Sequence, residues 1–138
     1  MSTNSDLFNT FTRSHSHVSM TLRITHLGTG SRGNSTLLET DEVKVLIDQG
    51  FSGAQLEKRL GLLNIKPTDI DCVLLSHHHG DHGGGAIIAQ KRWKLKILAN
   101  ELTAMELGLD PMQTSHFDHL DLIRIGEELT ILPVPVPH

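Results

Sequence analysis

The segment from residue 70 to 85 constrains the fold most, because an almost entirely apolar run ends directly in a cluster of histidines. The run 70–75 (IDCVLL) predicts a buried strand that ends at Ser76. The residues that follow, HHHGDHGGG, place three of their four histidines and one aspartate in a His-x-His-x-Asp-His spacing. In α/β proteins, ligands bind just beyond the carboxyl ends of strands. The chain is therefore predicted to be an α/β protein with its chemistry in this loop.

The spacing within the loop favours metal binding. In an extended backbone, side chains two residues apart point to the same side, so His77 and His79 are predicted to bind one ion while His78 turns away. With Asp81 and His82 next to them, a site for two ions is predicted. Imidazole and carboxylate suit zinc, manganese or iron, and no thiolate lies nearby for a cysteine-rich zinc site. The alternative is a solvated histidine-rich loop, since the chain contains 10 histidines.

The same residues resemble a known family, the metallo-β-lactamase-fold hydrolases. The signature loop of that family, His-x-His-x-Asp-His, is matched completely by residues 77–82. The run 43–50 (VKVLIDQG) is similar to an earlier strand of the family that ends in an aspartate, here Asp48. The segment 25–36 (THLGTGSRGNST) is similar to the opening segment of one branch of this family, which contains cyclic-phosphodiesterase-like and nuclease-like proteins. The resemblance covers about residues 21–138, and the end of the chain, LPVPVPH, looks like the strand that delivers a further metal-binding histidine, here His138.

The resemblance implies hydrolysis by a metal-bound hydroxide, with two divalent ions, zinc first and manganese or iron as alternatives. It implies the following metal ligands: His77, His79, Asp81, His82 and His138. Asp81 is also expected at the centre of catalysis, and Asp48 is expected behind the ligands as an acceptor that orients the loop. The expected substrate is a phosphodiester, with another small ester or nucleic acid as alternatives; this expectation rests on family analogy.

The resemblance also implies half of a fold. Full members form two face-to-face sheets with helices outside, a four-layer αββα sandwich, and this chain is expected to supply the N-terminal half, a mixed sheet with flanking helices. A further bridging aspartate and a final histidine of the second half are absent, so whether this chain is itself an enzyme is left open. The alternative is an inactive metal-binding fragment, or a site completed by a dimer partner or a complementing chain. The end at His138 is expected to reflect truncation.

Residues 28–33 (GTGSRG) also match the glycine pattern of dinucleotide-binding proteins. That pattern needs a helix at its third glycine, whereas residues 35–39 and 43–48 predict a hairpin. Ser31 and Asn34 are then expected either near the site or as plain hairpin scaffold. The other predicted elements are strands at 22–27 and 95–99, helices at 52–63 (with Ser52 as the N-cap), 85–91 and 101–107, and two extended pieces around Gly126.

Composition limits the partners and the location. The 138 residues are 38% hydrophobic, enough for one core, but Tyr is absent and Trp93 is the single tryptophan, so no stacking platform for single strands is predicted. The net charge of -4 gives no basic footprint, although bound cations would reverse the local potential. No secretory or membrane-spanning segment is recognised, which predicts a cytoplasmic protein without membrane contact.

Several single residues have plain structural expectations. Cys72 lies in the apolar run and is predicted to be a buried, unreactive thiol. His26 is expected to be structural, and His116 and His119 are expected in surface loops. Residues 1–20 are polar and are expected to form a flexible extension before a domain at 21–138.

Overall fold

The structure is a computed structural model that describes residues 21–30, 32–77 and 79–135, with only the backbone of Asp81. The predicted extension at 1–20 and the predicted ligand His138 lie outside the described residues. The strands of the described part are β1 Arg23–Gly28, β2 Ser35–Glu39, β3 Lys44–Ile47, β4 Cys72–Leu74, β5 Ile97–Ala99, β6 Thr114–His116, β7 Ile123–Ile125 and β8 Leu129–Ile131. The helices are α1 Gly53–Gly61, α2 Gly80–Gly83, α3 Ala86–Trp93 and α4 Glu101–Leu107, with 3₁₀ turns at Pro67–Asp69 and Pro111–Gln113.

Strands β1 to β6 form one mixed sheet in chain order, and β7 pairs with β8 in a separate antiparallel hairpin. The first three strands are antiparallel neighbours, as local hairpins allow. From β3 to β6 all neighbours are parallel, and helices or 3₁₀ turns lie in the connections between them. Four strands therefore direct their carboxyl ends to the same edge of the sheet.

Helices α1 and α4 begin where the sequence supplies a capping side chain, and each buries one side. The Ser52 hydroxyl accepts a hydrogen bond from the Gln55 N–H at 3.2 Å, and Leu56 and Leu60 of α1 are buried. Helix α4 begins in the same way at Asn100, whose side chain accepts from the Thr103 N–H at 2.8 Å.

The sheet buries apolar side chains on both faces, because successive strand residues point to opposite sides. Leu46 and Val73 belong to the larger core, which also contains residues of α1 and α3. Their neighbours Val45 and Cys72 belong to a second, smaller core, with Leu129 of the β7–β8 hairpin. This hairpin is the only element beyond the sheet in that cluster among the described residues, whereas the larger core is enclosed by helices.

The fold agrees with the α/β prediction of a mixed sheet with flanking helices. The hairpin of β2 and β3 follows the glycine-rich turn, so a strand stands where a dinucleotide-binding chain would have a helix. Helix α4 has the predicted bounds, and α3 ends two residues later than predicted, at Trp93. None of the helices in the described part of the chain has the length and apolar character needed to cross a bilayer.

Candidate metal centre

Two neighbouring parallel strands bring Asp48 and the histidine loop together. Ile47 at the end of β3 is in register with Leu74 at the end of β4, and the Asp48 N–H donates to the Leu74 carbonyl at 2.8 Å. Asp48 itself adopts a left-handed backbone conformation with φ 67°, which aspartate tolerates better than most residues. The side chain leaves the strand at this bend and points toward Ser76.

The buried Asp48 carboxylate is the acceptor at the centre of this network. It receives the Ser76 backbone N–H at 2.8 Å and the Ser76 hydroxyl at 2.8 and 2.9 Å. It also lies 2.8 Å from Nδ1 of His82. Since a carboxylate can only accept, His82 donates from Nδ1, and in the neutral ring Nε2 carries the lone pair.

The tautomer of His77 is fixed by its contact with the Ser76 hydroxyl. The Ser76 hydroxyl has one proton, which goes to Asp48, so its oxygen accepts from Nδ1 of His77 at 2.8 Å. Nε2 of His77 is then also the lone-pair nitrogen. One carboxylate thus orients two imidazoles, one directly and one through a hydroxyl.

The three histidines lie close together. The ring centroids of His77 and His82 are 4.0 Å apart with a tilt of 40°, and the ring of His79 stands edge-on to His77 with centroids at 4.9 Å. His79 is exposed at the N-cap of α2, where its side chain makes no capping hydrogen bond. The loop therefore presents three imidazoles on one side of the sheet edge.

Gln49 ties the segment after the loop to the end of β3. Its N–H donates to the His82 carbonyl at 2.7 Å, and its carbonyl accepts from the Gly85 N–H at 2.9 Å. Its side chain, which is fully buried, donates to the Phe51 carbonyl at 2.8 Å and accepts from the Phe51 N–H at 3.2 Å. A side chain on Gly85 would meet the Phe51 carbonyl at 2.0 Å, so glycine is required for this close approach.

Of the predicted site residues, the structure brings Asp48, His77 and His82 together. One ligand atom from each lies within 4.8 Å of the others. His79 is near this group through its contact with His77. Asp81 lies in α2, but its side chain is outside the described part of the chain, as is the whole of His138.

Asn34 contacts the backbone within the glycine-rich turn. Asn34 exchanges hydrogen bonds with the backbone of Gly30, at 2.8 and 3.1 Å, and so holds the turn closed; Ser31 lies outside the described residues. His26 on β1 lies 3.0 Å from the Thr36 hydroxyl. His116 is the last residue of β6, not a loop residue as expected, because this polar segment pairs with β5 at the sheet edge.

Sequence reasoning missed Ser76 and Gln49 as parts of the site. Both flank residues that were predicted, Ser76 before the histidine loop and Gln49 after Asp48. A hydroxyl at the end of a buried strand, and an amide between a strand end and a glycine, are weak signals. Their roles depend on contacts between segments separated by more than 25 residues.

The residues present fit a divalent metal ion in their donor chemistry. The nitrogens that face away from the Asp48 network are lone-pair imidazole nitrogens, which suit zinc, manganese and iron. Metal-bound histidines usually donate their other ring N–H to a carboxylate or hydroxyl, which is the arrangement around Asp48. The oxygens of Asp48 already accept from Ser76 and His82.

Cys72 takes no part in this centre. The thiol is buried in the smaller core, on the opposite face of β4 from Val73. Burial raises the pKa of the Cys72 thiol from 9.0 to about 11; the charge of Asp71 adds to the rise and that of Lys96 opposes it. The thiol therefore stays protonated at neutral pH and is a poor nucleophile.

The chain is similar to several known proteins. Residues 28–138 match the metallo-beta-lactamase superfamily. The chain is 42% identical over 82 residues to the exodeoxyribonuclease WalJ of Streptococcus pneumoniae, a match that covers 58% of this chain and 30% of that protein. It is 36% identical over 89 residues to the exodeoxyribonuclease YycJ of Bacillus anthracis, covering 63% of this chain and 34% of that protein. The matched part is thus about a third of the length of these relatives.

A solved structure shows the same fold at low identity. The subclass B3 metallo-beta-lactamase MEM-A1, isolated from a soil metagenome library, superposes with a TM-score of 0.65 and 22% identity. The match covers 79% of this chain and 48% of that structure. At this identity the likeness concerns the fold and carries no argument about the substrate.

Proposed function

The chain belongs to the metallo-beta-lactamase superfamily, and from this premise we propose that it is the metal-binding part of a metal-dependent phosphodiester hydrolase. The proposal names His77, His79, Asp81, His82 and His138 as ligands for two divalent ions, with zinc as the first candidate. Asp81 is proposed as a ligand that also takes part in catalysis. Asp48 is proposed as the acceptor that orients His77 and His82.

The observation that carries the proposal is the hydrogen-bond network of Asp48. Asp48 accepts from Nδ1 of His82 directly, and through the Ser76 hydroxyl it holds Nδ1 of His77, so that Nε2 is the lone-pair nitrogen of each neutral ring. In a solvated histidine-rich loop, nothing requires one buried carboxylate to fix the tautomers of two histidines, as Asp48 does for His77 and His82. The network therefore supports a metal centre over that alternative.

A bound divalent cation supplies Lewis-acid activation of water and stabilises negative charge on a phosphodiester. The protein residues supply the geometry. Asp48 and Ser76 hold the ring of His77, Asp48 holds the ring of His82, and Gln49 holds the backbone that carries His82. The protein carries a net charge of -4, so an anionic substrate would depend on the cations for its attraction to the site.

The choice of a phosphodiester rests on the relatives. Both exodeoxyribonucleases are named for cleavage of DNA, whose backbone is a phosphodiester. The glycine-rich turn at 25–36 adds to this, since it resembles the cyclic-phosphodiesterase-like and nuclease-like branch. We therefore place phosphodiesters before β-lactams and thioesters as substrates.

The test is hydrolysis of bis(4-nitrophenyl) phosphate and of a short oligodeoxynucleotide, after the protein has been stripped of metal and reloaded with zinc or manganese. We expect turnover only with metal, and a loss of at least about 100-fold in His79→Ala, since a missing ligand removes the centre. The control is His26→Ala, which changes an exposed histidine on β1 and should keep the wild-type rate. Nitrocefin serves as a β-lactam comparator.

Two results would contradict the proposal. One is hydrolysis of nitrocefin without hydrolysis of either phosphodiester, which would assign the site to another substrate. The other is bound metal without any turnover, which would favour the inactive metal-binding fragment as the role of this chain. Turnover that appears only when a second chain is added would identify a partner-completed site.

A further inference from the structure

The carboxyl ends of the four parallel strands form a continuous row. Asp48 follows β3, Ser76 and His77 lie just beyond β4, Asn100 follows β5 and Phe117 follows β6. Only the first two of these strand ends contribute to the candidate metal centre. In parallel sheets the crevice outside the carboxyl ends is where ligands bind. The ends of β5 and β6 are thus the natural continuation of the site.

A cavity of about 860 Å³ joins the two halves of this row. His77 and His79 line one end, together with Ser76. Phe117 and His119 line the cavity beyond the end of β6, and Leu102 lines it from α4. Ligand pockets for small molecules have volumes of about 300–1,000 Å³, so a nucleotide fits within this volume.

The lining of the cavity combines polar and apolar side chains. Ser76, His77 and His79 contribute polar groups, whereas Leu102 and Val134 are each 60% exposed and contribute apolar surface. Phe117 is half-buried, and its N–H donates to the Ala99 carbonyl at 3.4 Å, which anchors it to the end of β5. The other phenylalanine among the described residues, Phe51, is buried in the larger core. Phe117 is therefore the phenylalanine of the described part that is available to a ligand.

A ligand with an anionic group at one end and a flat apolar ring at the other matches this lining. A nucleotide has these two parts, and an aromatic side chain that stacks on a base contributes about 1–3 kcal/mol. His119 is exposed beside Phe117 and adds a polar group for the sugar or the base edge. Aromatic residues are scarce in this chain, so the sequence predicted no stacking platform. One suitably placed ring is nevertheless enough to stack on one base.

We propose that Phe117 is the stacking residue of a nucleobase subsite, which binds the base of the nucleotide whose phosphate lies at His77 and His79. This inference rests on the proposed function, because it assumes a nucleotide substrate at the metal centre. It assigns the cavity beyond β5 and β6 to recognition of the base, and it leaves the chemistry to the histidine loop.

The experiment uses the fluorescence of Phe117→Trp. The chain has a single tryptophan, Trp93, so the wild-type protein measures the background and the variant adds one signal in the cavity. The probes are thymidine 5′-monophosphate and 2-deoxyribose 5-phosphate, which share the sugar and phosphate and differ in the base. We expect saturable quenching of the variant by the nucleotide, little quenching by the sugar phosphate, and no saturable change in the wild type.

A second variant measures the affinity directly by calorimetry. Phe117→Leu keeps an apolar side chain but removes the ring, and it should raise the Kd for thymidine 5′-monophosphate about 5- to 100-fold. Leu62→Ala, at an exposed position after α1, should leave this Kd unchanged. Equal binding of the two probes, or an unchanged Kd in Phe117→Leu, would overturn the subsite. Neither result changes the metal-dependent hydrolysis measured for the wild type. The base subsite can therefore be rejected while the proposed function stands.

Discussion

At the scale of single residues, Asp48 determines how the histidine loop is arranged. It accepts from the N–H and hydroxyl of Ser76 and from Nδ1 of His82, while its backbone adopts a left-handed conformation. Backbone strain of this kind costs about 1–3 kcal/mol and persists where the surroundings hold it in place. Here the surroundings are the adjacent β4 end and the buried amide of Gln49, which fix the residues on both sides of the loop.

Gln49 offers a test of positioning as distinct from stability. We expect Gln49→Met to weaken zinc binding by about 10- to 100-fold, because the amide that holds Phe51 and the Gly85 segment is lost and His82 shifts. The matched control is Gln90→Met, since Gln90 is also buried but connects α3 to Asp110 and Thr114.

Both glutamine variants should lose about 1–3 kcal/mol of unfolding free energy, because each removes the amide partner of buried polar groups. Competition with a chromogenic chelator measures zinc affinity, and urea denaturation measures stability. If Gln90→Met weakened zinc binding as much as Gln49→Met, the effect would come from general loosening, and the positioning role of Gln49 would be rejected.

We expect the buried thiol of Cys72 to lower the free energy of unfolding at high pH. Its pKa is 9.0 in the unfolded chain and about 11 in the folded chain, where burial protects the thiol from ionisation. Between these values the unfolded state loses its proton first, so the folded state loses stability as pH rises from 9 to 11, by up to about 3 kcal/mol. Urea denaturation at pH 8 and pH 10.5 should show a smaller decrease in Cys72→Ala. An identical decrease in both proteins would show that Cys72 does not cause it.

At the scale of secondary structure, the sequence predicted the elements whose pattern is local. Helix α4 has a cap, an apolar side and a glycine at its end, and its bounds were predicted correctly. Strand β6 was missed because its sequence, Thr-Ser-His, is polar and gains its strand character from pairing with β5. The short helix α2 was not predicted because Gly-Asp-His-Gly has low helix propensity. The spacing of the histidine loop predicted candidate residues, whereas the contacts of Ser76 and Gln49 arise only when strand ends meet.

Two glycines, one in the turn between β1 and β2 and one at the end of α1, are predicted to respond in opposite ways to substitution by alanine. Gly33 has φ 152°, and a side chain there would meet the ring of Phe51 at 2.6 Å, so Gly33→Ala should destabilise the fold by about 1–3 kcal/mol. Gly61 ends α1 with open space around it, so Gly61→Ala should stabilise the fold by about 0.5–1 kcal/mol. Urea denaturation of both variants measures the difference. Equal effects of the two substitutions would contradict this account of the two glycines.

At the scale of the whole molecule, the two faces of the main sheet are covered unequally. One face packs against α1 and α3, and the opposite face carries the smaller core with the β7–β8 hairpin. Ile24 is paired with Leu38, which contacts that smaller core, and paired residues point to the same side of a sheet. Ile24 is nevertheless 59% exposed. The chain covers 48% of the superposed lactamase.

The exposed part of this face predicts self-association of the isolated chain. Sedimentation velocity at increasing concentration should show larger species for the wild type, because apolar surface outside the smaller core remains in contact with water. Ile24→Arg should reduce this association by placing a charge on the face. Leu62→Arg, at the more exposed residue after α1, should leave it unchanged. Association of Ile24→Arg at wild-type level would show that another surface is responsible.

The central claim is that the Asp48 network prepares His77 and His82 to bind a metal ion, and cobalt binding tests it most directly. The protein would be stripped of metal, loaded with Co²⁺ and passed through a desalting column, and the retained metal and visible absorption bands would be measured. We predict at least one retained ion per chain with bands of nitrogen and oxygen ligands, lost in His77→Ala and His82→Ala but kept in His26→Ala. Retention of no cobalt by the wild type, or equal retention by all four proteins, would contradict the claim.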